Sequence, residues 1–482
     1  MHLSISMRVL GLLLMMFSSA MIPPLVIALV ADDHTITAFL SAMAITFFSG
    51  FALWLPFRGA RHELRIRDGF LITALFWTVL GIFGALPFAL AESPHLTPAK
   101  AIFESISGLT ATGATVIVGL DDLPQSILLY RQLLQWMGGI GIIVVAVAVL
   151  PMLGVGGMQL YRAETPGPSK DSKLTPRITG TAKALFSVYL SLTLACALAY
   201  YFAGMSAFDA ICHAFSTVAL AGFSTHDQSM GFFKSDTILF ISSLFMTISA
   251  INFGLHYIAW RNRSLAVYRK DSETKFFLCV LGLIIAITAT HLEFTNRLPT
   301  WDSFVHGLFH AISIVTTTGY STKDYEAWPT FLPILLFLGS CMGGCVGSTG
   351  GGIKAMRLML IYKQGVRELK QLVHPQAIIP LKVGNRRVEP TVVSAVWSFF
   401  AVYVTSYIFL LLALMGTGLD FTSAFSAVAA SLNNLGIGLG QVSNNFSEIS
   451  EPAMAIMSFG MLLGRLEIFT LLVLFTPAFW RP

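Results

Sequence analysis

Residues 307–320 read "GLFHAISIVTTTGY". An apolar run of helical character, too short to cross a bilayer, ends in three threonines and a glycine. Such a segment is tolerated at membrane depth only where protein buries it or where it lines water. The pattern occurs three more times, as "AIFESISGLTATGA" at 101–114, "AICHAFSTVALAGF" at 210–223 and "AFSAVAASLNNLGI" at 424–437. Aligned on Gly113, Gly222, Gly319 and Gly436, each stretch has a small residue twelve positions earlier: Ala101, Ala210, Gly307 or Ala424. Six positions earlier stand Ser107, Ser216 and Ser313, with Ala430 in the fourth. The glycines recur at intervals of roughly 100 residues, the signature of an internal repeat.

The surrounding chain is membrane-like. Of 482 residues, 55% are hydrophobic and 11% charged, with 38 phenylalanines and a mean hydropathy of +0.73. Soluble domains carry about 25% charged residues, and a soluble chain this apolar could not cover its surface. Apolar runs long enough to span fall near 9–30, 36–56, 69–91, 126–152, 179–203, 236–260, 275–292, 329–362, 391–416 and 452–479. The first continues past any clean cleavage site and reads as an uncleaved membrane helix rather than a signal peptide. Four shorter stretches, near 97–110, 207–220, 302–316 and 421–433, read as re-entrant half-helices. The fold class expected is an all-α integral membrane protein. It has ten transmembrane helices and four re-entrant pore half-helices, arranged as four helix–pore–helix repeats behind two N-terminal helices. The boundaries read as 1–57 for the extension, then 58–160, 161–262, 263–388 and 389–482 for the repeats.

Charge orients the chain. Basic residues crowd alternate loops: Arg58, Arg61, Arg65 and Arg67; Arg162, Lys170, Lys173 and Arg177; Arg261, Arg263, Arg269, Lys270 and Lys275; and Arg357, Lys363, Arg367, Lys370, Lys382, Arg386 and Arg387. The positive-inside rule places these loops and both termini in the cytoplasm. The half-helices then enter from outside, where Asp121, Asp122, Asp227, Asp236, Asp302, Asp324, Glu326, Asp420, Glu448 and Glu451 lie. These acids read equally as a cation-concentrating vestibule and as ordinary loop charge. The five cysteines lie mostly in apolar segments and read as buried small hydrophobes.

A half-helix entering from outside aims its partly negative C-terminal end at the midplane. The glycine that follows lets the backbone turn carbonyls inward. Four such segments around one axis make a ring of oxygens able to replace a cation's water shell. The candidate filter comprises Thr110, Ala111, Thr112 and Gly113; Ala219, Leu220, Ala221 and Gly222; Thr316, Thr317, Thr318 and Gly319; and Asn433, Asn434, Leu435 and Gly436. Threonine hydroxyls can add oxygens or brace the backbone. No carboxylate is required, which suits a monovalent ion in passage.

A second glycine cluster, "GGCVGSTGGGIK" at 343–354, superficially resembles a phosphate-binding loop. It lacks a preceding strand and a Gly-Lys-Ser/Thr ending, and its flanks are membrane-type. Irregular backbone at that depth lines a cavity, so Gly343, Gly344, Cys345, Val346, Gly347, Ser348, Thr349, Gly350, Gly351 and Gly352 read as a plug below the filter. Arg465, in an apolar run, normally needs a cavity or a partner and reads as an electrostatic barrier in the same passage. Glu467, two positions on, faces elsewhere on a helix. Lys354 could snorkel or pair.

The motifs "TGATVIVGL", "RQLLQWMGGIGI", "GGMQLYRAE", "AGFSTHD", "GSTGGG", "LNNLG", "GRLEIFTLL" and "FTPAFW" resemble the TrkH family, within a superfamily of potassium transporters that includes KtrB and plant HKT proteins. The resemblance runs the length of the chain. It implies potassium uptake at the bacterial inner membrane, a potassium filter at the four glycines, a gating role for the loop, a homodimer, and a cytosolic nucleotide-binding regulatory ring like TrkA. Potassium is then substrate; no cofactor is expected in this chain, and no nucleic acid as partner. "VALAGF" lacks the family's threonines, so an asymmetric filter is expected. A sodium- or proton-coupled symporter on the same scaffold stays open. An enzyme is not expected: no metal pair or Ser/His/Asp set recurs at membrane depth. His213 and His310, which match Glu104 in the alignment, read as packing residues.

Overall fold

The computed structural model describes residues 3–60, 66–141, 178–295, 299–322, 325–384 and 386–481. Among these, six helices are long and apolar enough to cross a bilayer: Leu3–Ala31, Ile36–Phe57, Arg67–Leu90, Ala182–Phe202, Ser272–Phe294 and Pro390–Gly416. Two bent pairs bring the number to eight: Asp236–Ser249 with Phe253–Asn262, at 93°, and Glu451–Arg465 with Phe469–Phe475, at 108°. The chain is a multi-pass, all-helical membrane protein. The departure from helix among the described residues is a small antiparallel hairpin, Lys382–Val383 against Arg386–Arg387.

Four of the expected spans are broken, bent or described in part. The run at 329–362 is two helices, Phe331–Ser340 and Ala355–Val373, separated by the glycine-rich loop. The run at 126–152 is described as the helix Gln125–Ile140; residues 142–177, with Arg162, Lys170, Lys173 and Arg177, lie outside the described residues. The sixth and tenth runs, each read as one span, are the two bent pairs, and both bends have a backbone cause. At the first, the loop takes over the helix's hydrogen bonds: Cys345 N–H donates to Ala250 O at 2.8 Å and Phe253 N–H to Gly347 O at 3.0 Å. At the second, Glu467 and Ile468 adopt φ of 51° and 59°, and the Glu467 carboxylate receives Arg357 at 2.5 Å.

The four short apolar stretches are helices: Pro98–Leu109, Ala207–Ala219, Thr300–Val315 and Phe421–Leu432. Polar side chains cap three of their N-termini. Thr97 accepts from Lys100 N–H, Ser206 from Asp209 N–H, and Asp420 from Thr422 and Ser423 N–H, satisfying amides that a helix start leaves open. Two apolar cores surround these helices. One joins the N-terminal helices with the first and fourth short helices, through residues such as Phe39, Trp77, Phe103, Val428 and Met457. The other joins the second and third, through Tyr189, Val218, Phe277, Phe309 and Phe337. Outward faces stay apolar, with Leu198, Phe202, Phe294, Phe409 and Leu412 exposed, as contact with lipid allows.

The first helix crosses Ile36–Trp54 at two small residues. A Cβ on Gly50 would stand 2.8 Å from Gly11 O and 2.9 Å from Met15 N, a close approach typical of membrane helix pairs. Gly50→Val is therefore expected to destabilise by about 1–3 kcal/mol through overpacking. Gly59→Val, where a Cβ meets nothing within 4 Å, should leave stability unchanged. Thermal unfolding of both variants in detergent checks this.

Candidate functional site

After each short helix the chain turns back through the same backbone geometry. Thr112, Ala221, Thr318 and Leu435 each donate their N–H to the carbonyl five residues earlier, on Ser107, Ser216, Ser313 and Ala430, at 2.9, 3.0, 2.8 and 2.8 Å. These are the positions that the glycine alignment paired. Ala111, Leu220, Thr317 and Asn434 hold φ of 55°, 54°, 63° and 54°, and Gly113, Gly222, Gly319 and Gly436 hold 85°, 81°, 86° and 80°. The residue between has an ordinary negative φ. Left-handed backbone at a non-glycine residue is strained, and here it recurs at all four equivalent sites.

The four turns form a closed ring. A Cβ on Gly113 would stand 2.0 Å from Ala221 O, on Gly222 2.1 Å from Thr318 O, on Gly319 2.0 Å from Leu435 O, and on Gly436 2.2 Å from Thr112 O. The contacts run first to second, second to third, third to fourth, and fourth back to first, so the segments surround one axis. Glycine is demanded twice at each position, by φ and by the neighbouring carbonyl. All the expected filter residues come together here. The threonines brace as well as line: Thr110 and Thr112 hydroxyls lie 2.7 Å apart, and those of Thr316 and Thr318 2.8 Å. Asn433 and Asn434 are bracing groups. The Tyr403 hydroxyl donates to Asn433 Oδ1 at 2.6 Å, and Asn434 Nδ2 donates to Thr112 Oγ1 at 2.9 Å.

The glycine-rich loop sits against the inner ends of these helices. Thr349 Oγ1 donates to Val218 O at 2.9 Å, and Gly351 N–H donates to Thr317 Oγ1 at 2.8 Å. A Cβ on Gly351 would stand 2.0 Å from Asn433 O. Arg465 links the loop to the helix Gln125–Ile140, donating to Thr349 O of the loop at 3.2 Å and to the carbonyls of Gly138 and Gly139. The loop thus touches three of the four segments directly, at Val218, Thr317 and Asn433. The loop is folded on itself as well. Ser348 Oγ donates to Cys345 O at 2.7 Å, Ala355 N–H to Gly344 O at 3.0 Å, and Lys354 Nζ to Gly350 O. One carboxylate oxygen of Glu273 accepts both Val346 N–H at 2.7 Å and Met356 N–H at 3.0 Å, tying the two ends of the loop together. The Lys354 amine is thus turned into the loop's own backbone, and helices flank the loop on both sides.

Comparison with known proteins agrees with this geometry over the whole chain. The family profile for TrkH, described as a cation transport protein, matches residues 35–481. The Trk system potassium uptake protein TrkH of Halomonas elongata is 54% identical over 481 residues, covering 100% of both chains. Its namesake in Escherichia coli is 52% identical over 482 residues, again 100% of both. The chain belongs to the TrkH family. Among solved structures, the potassium transporter TrkH from Vibrio parahaemolyticus superposes with a TM-score of 0.91 at 49% identity, covering 100% of both chains. The expectation of a transport protein rather than an enzyme is met by that membership.

This TrkH-family chain also holds a buried ion pair that the sequence reading missed. Glu104 and Arg131 form an ion pair at 2.8 Å with no exposure on either side chain. Glu104 also accepts from Thr115 Oγ1 at 2.9 Å and Val116 N–H at 2.9 Å, so it holds the strand leaving the first turn. Arg131 reaches the next repeat, donating to Ser224 O at 3.0 Å. The aligned histidines do the same work more weakly. His213 Nε2 bonds Ser224 Oγ at 2.9 Å and His310 Nε2 bonds Thr322 Oγ1 at 3.0 Å. They pack, as expected, but as braces behind the ring. The signal was present: an arginine inside the apolar run "RQLLQW" calls for a buried partner, and Glu104 is that partner.

The acids expected on the outer face are partly absorbed into bonds between segments far apart in sequence. Asp227 accepts Gly119 and Leu120 N–H at 3.1 Å, Glu326 accepts Gly440 N–H at 2.7 Å, and Asp236 accepts Trp301 Nε1–H at 2.8 Å. His226 bonds Asp121 at 2.5 Å and lies 3.5 Å from Asp209. Burial pulls its pKa down, but its bonds to the two aspartates and their charges outweigh that and hold it above the usual histidine value.

Arg131→Met alone leaves Glu104 as a buried, uncompensated charge and should destabilise by about 3–5 kcal/mol. Adding Glu104→Gln should recover much of that loss. Thermal unfolding of the two single variants and the double gives the coupling; additive effects would exclude it.

Proposed function

We propose that this protein conducts potassium ions into the cell through the ring of four glycine turns. The single observation that carries the reading is the closed cycle of glycine-to-carbonyl contacts, which surrounds an axis with backbone oxygens and no carboxylate. Carbonyl rings of this kind replace the hydration shell of a monovalent cation. The names of the relatives, as Trk system potassium uptake proteins, support potassium as the ion. In this reading Thr110–Gly113, Ala219–Gly222, Thr316–Gly319 and Asn433–Gly436 are the filter. The architecture is ten spans, with two N-terminal helices at 1–57 and repeats at 58–160, 161–262, 263–388 and 389–482. Both termini and the basic loops face the cytoplasm of an inner-membrane protein.

The gate in this proposal is the loop from Gly343 to Gly352 with Lys354 and Arg465. The loop's contacts with three short helices support steric closure, and Arg465 adds a repulsive potential where charge is poorly screened. The helix Ala355–Val373 starts where the loop ends and carries Arg357, Lys363, Arg367 and Lys370. Lys363 Nζ donates to Lys382 O at 2.8 Å, joining that helix to the basic hairpin. A cytosolic nucleotide-binding ring docking on this surface would pull directly on the loop. The functional unit is a homodimer with that ring; the relatives' designation as members of a Trk system is consistent with partner subunits.

Replacement of Gly222 or Gly319 by serine should lower the potassium-to-sodium uptake ratio of reconstituted protein by about tenfold, a change of about 1.4 kcal/mol. An unchanged ratio at every ring glycine would remove the filter assignment. Sodium or proton coupling would show instead as potassium uptake that collapses without the second ion's gradient.

Deletion within 345–351, or Arg465→Ala, should raise basal potassium flux without the regulatory ring and leave the ion ratio nearly intact. Together the two changes should yield less than the product of their separate effects, because they act on one constriction. A folded loop-deleted protein whose flux still needs the ring places the gate elsewhere.

A further inference from the structure

The second turn of the ring is held differently from the other three. The first and third carry their own hydroxyl pairs, and the fourth is tied by Asn433 and Asn434 to Ser340, Tyr403, Thr112 and Met461. Ala219, Leu220, Ala221 and Gly222 bring no polar side chain. A residue of the first repeat supplies what is missing. Gln135, fully buried on the helix Gln125–Ile140, donates Nε2–H to Ala221 O at 2.7 Å and accepts Phe223 N–H on Oε1 at 3.2 Å. One side-chain amide therefore grips the backbone on both sides of Gly222. One helical turn earlier, Arg131 holds Ser224 O and lies 4.2 Å from the Phe223 ring. Glu104 fixes Arg131 in turn, so the grip is anchored to the first short helix.

We infer that Gln135 is a specificity-determining positioning residue, which sets the direction and strength of the Ala221 carbonyl in place of the threonines that the second turn lacks. The inference rests on the filter reading above. Ala221 O is the oxygen that closes the ring against Gly113. An amide donating to it limits its swing and shares its lone pairs, so it presents a weaker field to an ion. Without that donor the oxygen is both freer and stronger. Mobile, high-field oxygens relax the discrimination against the smaller sodium ion, which gains more from close contact. The asymmetry of the ring then has a purpose: the turn poorest in side-chain oxygen has its carbonyl set from outside.

The test uses the full-length protein, purified and reconstituted with its regulatory partner, with rubidium as the tracer for potassium. Gln135→Met keeps side-chain length and removes both bonds. Gln135→Glu keeps the acceptor for Phe223 N–H and removes the donor to Ala221. Gly222→Ser is measured in parallel. Both Gln135 variants should lower the rubidium-to-sodium uptake ratio by about fivefold, the scale of one hydrogen bond, chiefly by raising KM for rubidium. A ratio is unaffected by the amount of folded protein, which is all that a merely structural role would change. An unchanged ratio in both Gln135 variants, beside a lowered ratio in Gly222→Ser, overturns the role of Gln135 and leaves the filter reading standing. An unchanged ratio in all three overturns both. Failure of both Gln135 variants to insert also overturns the proposal, because it assigns the amide to folding instead of ion choice.

Discussion

A backbone that leaves the helix inside a bilayer has no water to receive the amides and carbonyls it strips bare, and each must find a protein partner. Much of this molecule follows from that constraint. The four turns after the short helices answer it with one repeated bond, from the residue before each glycine to the carbonyl of Ser107, Ser216, Ser313 or Ala430. The amide is satisfied toward the helix end, and the carbonyl before each glycine stands against the glycine of a neighbouring turn. The glycine-rich loop answers it by borrowing from its surroundings: Ala250, Phe253 and Glu273 provide or receive the bonds that a continuous helix would have made internally. The two bent spans are the other side of that exchange, since each breaks where the loop or its following helix docks.

Pseudo-symmetry in the backbone coexists with asymmetry in what supports it. The left-handed φ values agree within a few degrees across the four turns, yet the braces are a buried ion pair, histidines, asparagines or a borrowed glutamine. Backbone geometry is imposed by ring closure, which admits one solution per quarter. Bracing is a local hydrogen-bond problem with many solutions, so each repeat has settled on its own. The consequence is a ring whose four quarters share a shape and differ in stiffness and field.

Charge inside the membrane is concentrated around the loop. Arg465, Lys354 and Arg357 all lie there, held by carbonyls of Thr349, Gly138, Gly139, Gly350 and Ile353 and by Glu467. Buried cations cost several kcal/mol each unless such partners are present. A loop rich in exposed carbonyls and a set of buried cations therefore satisfy each other. Arg465 holds the loop at Thr349 O and the helix Gln125–Ile140 at Gly138 O and Gly139 O, so it joins the two.

By itself the sequence determined the class of solvent, the number and register of the short helices, and the four glycines. All of these are periodic or compositional, and a membrane enforces them residue by residue: apolar length for a span, glycine where φ must be positive, lysine and arginine on one side. The break at 341–354 was legible for the same reason, since six glycines cannot hold a helix in lipid. Only the tertiary structure decided that the sixth and tenth runs bend, that Glu467 belongs to Arg357, that Asp227, Asp236 and Glu326 bond segments far from their own, and that Glu104, Arg131 and Gln135 stand behind the ring. Those pairings join residues up to 114 positions apart. A side chain's partner at that distance is set by how helices pack, and no local pattern in the chain encodes it.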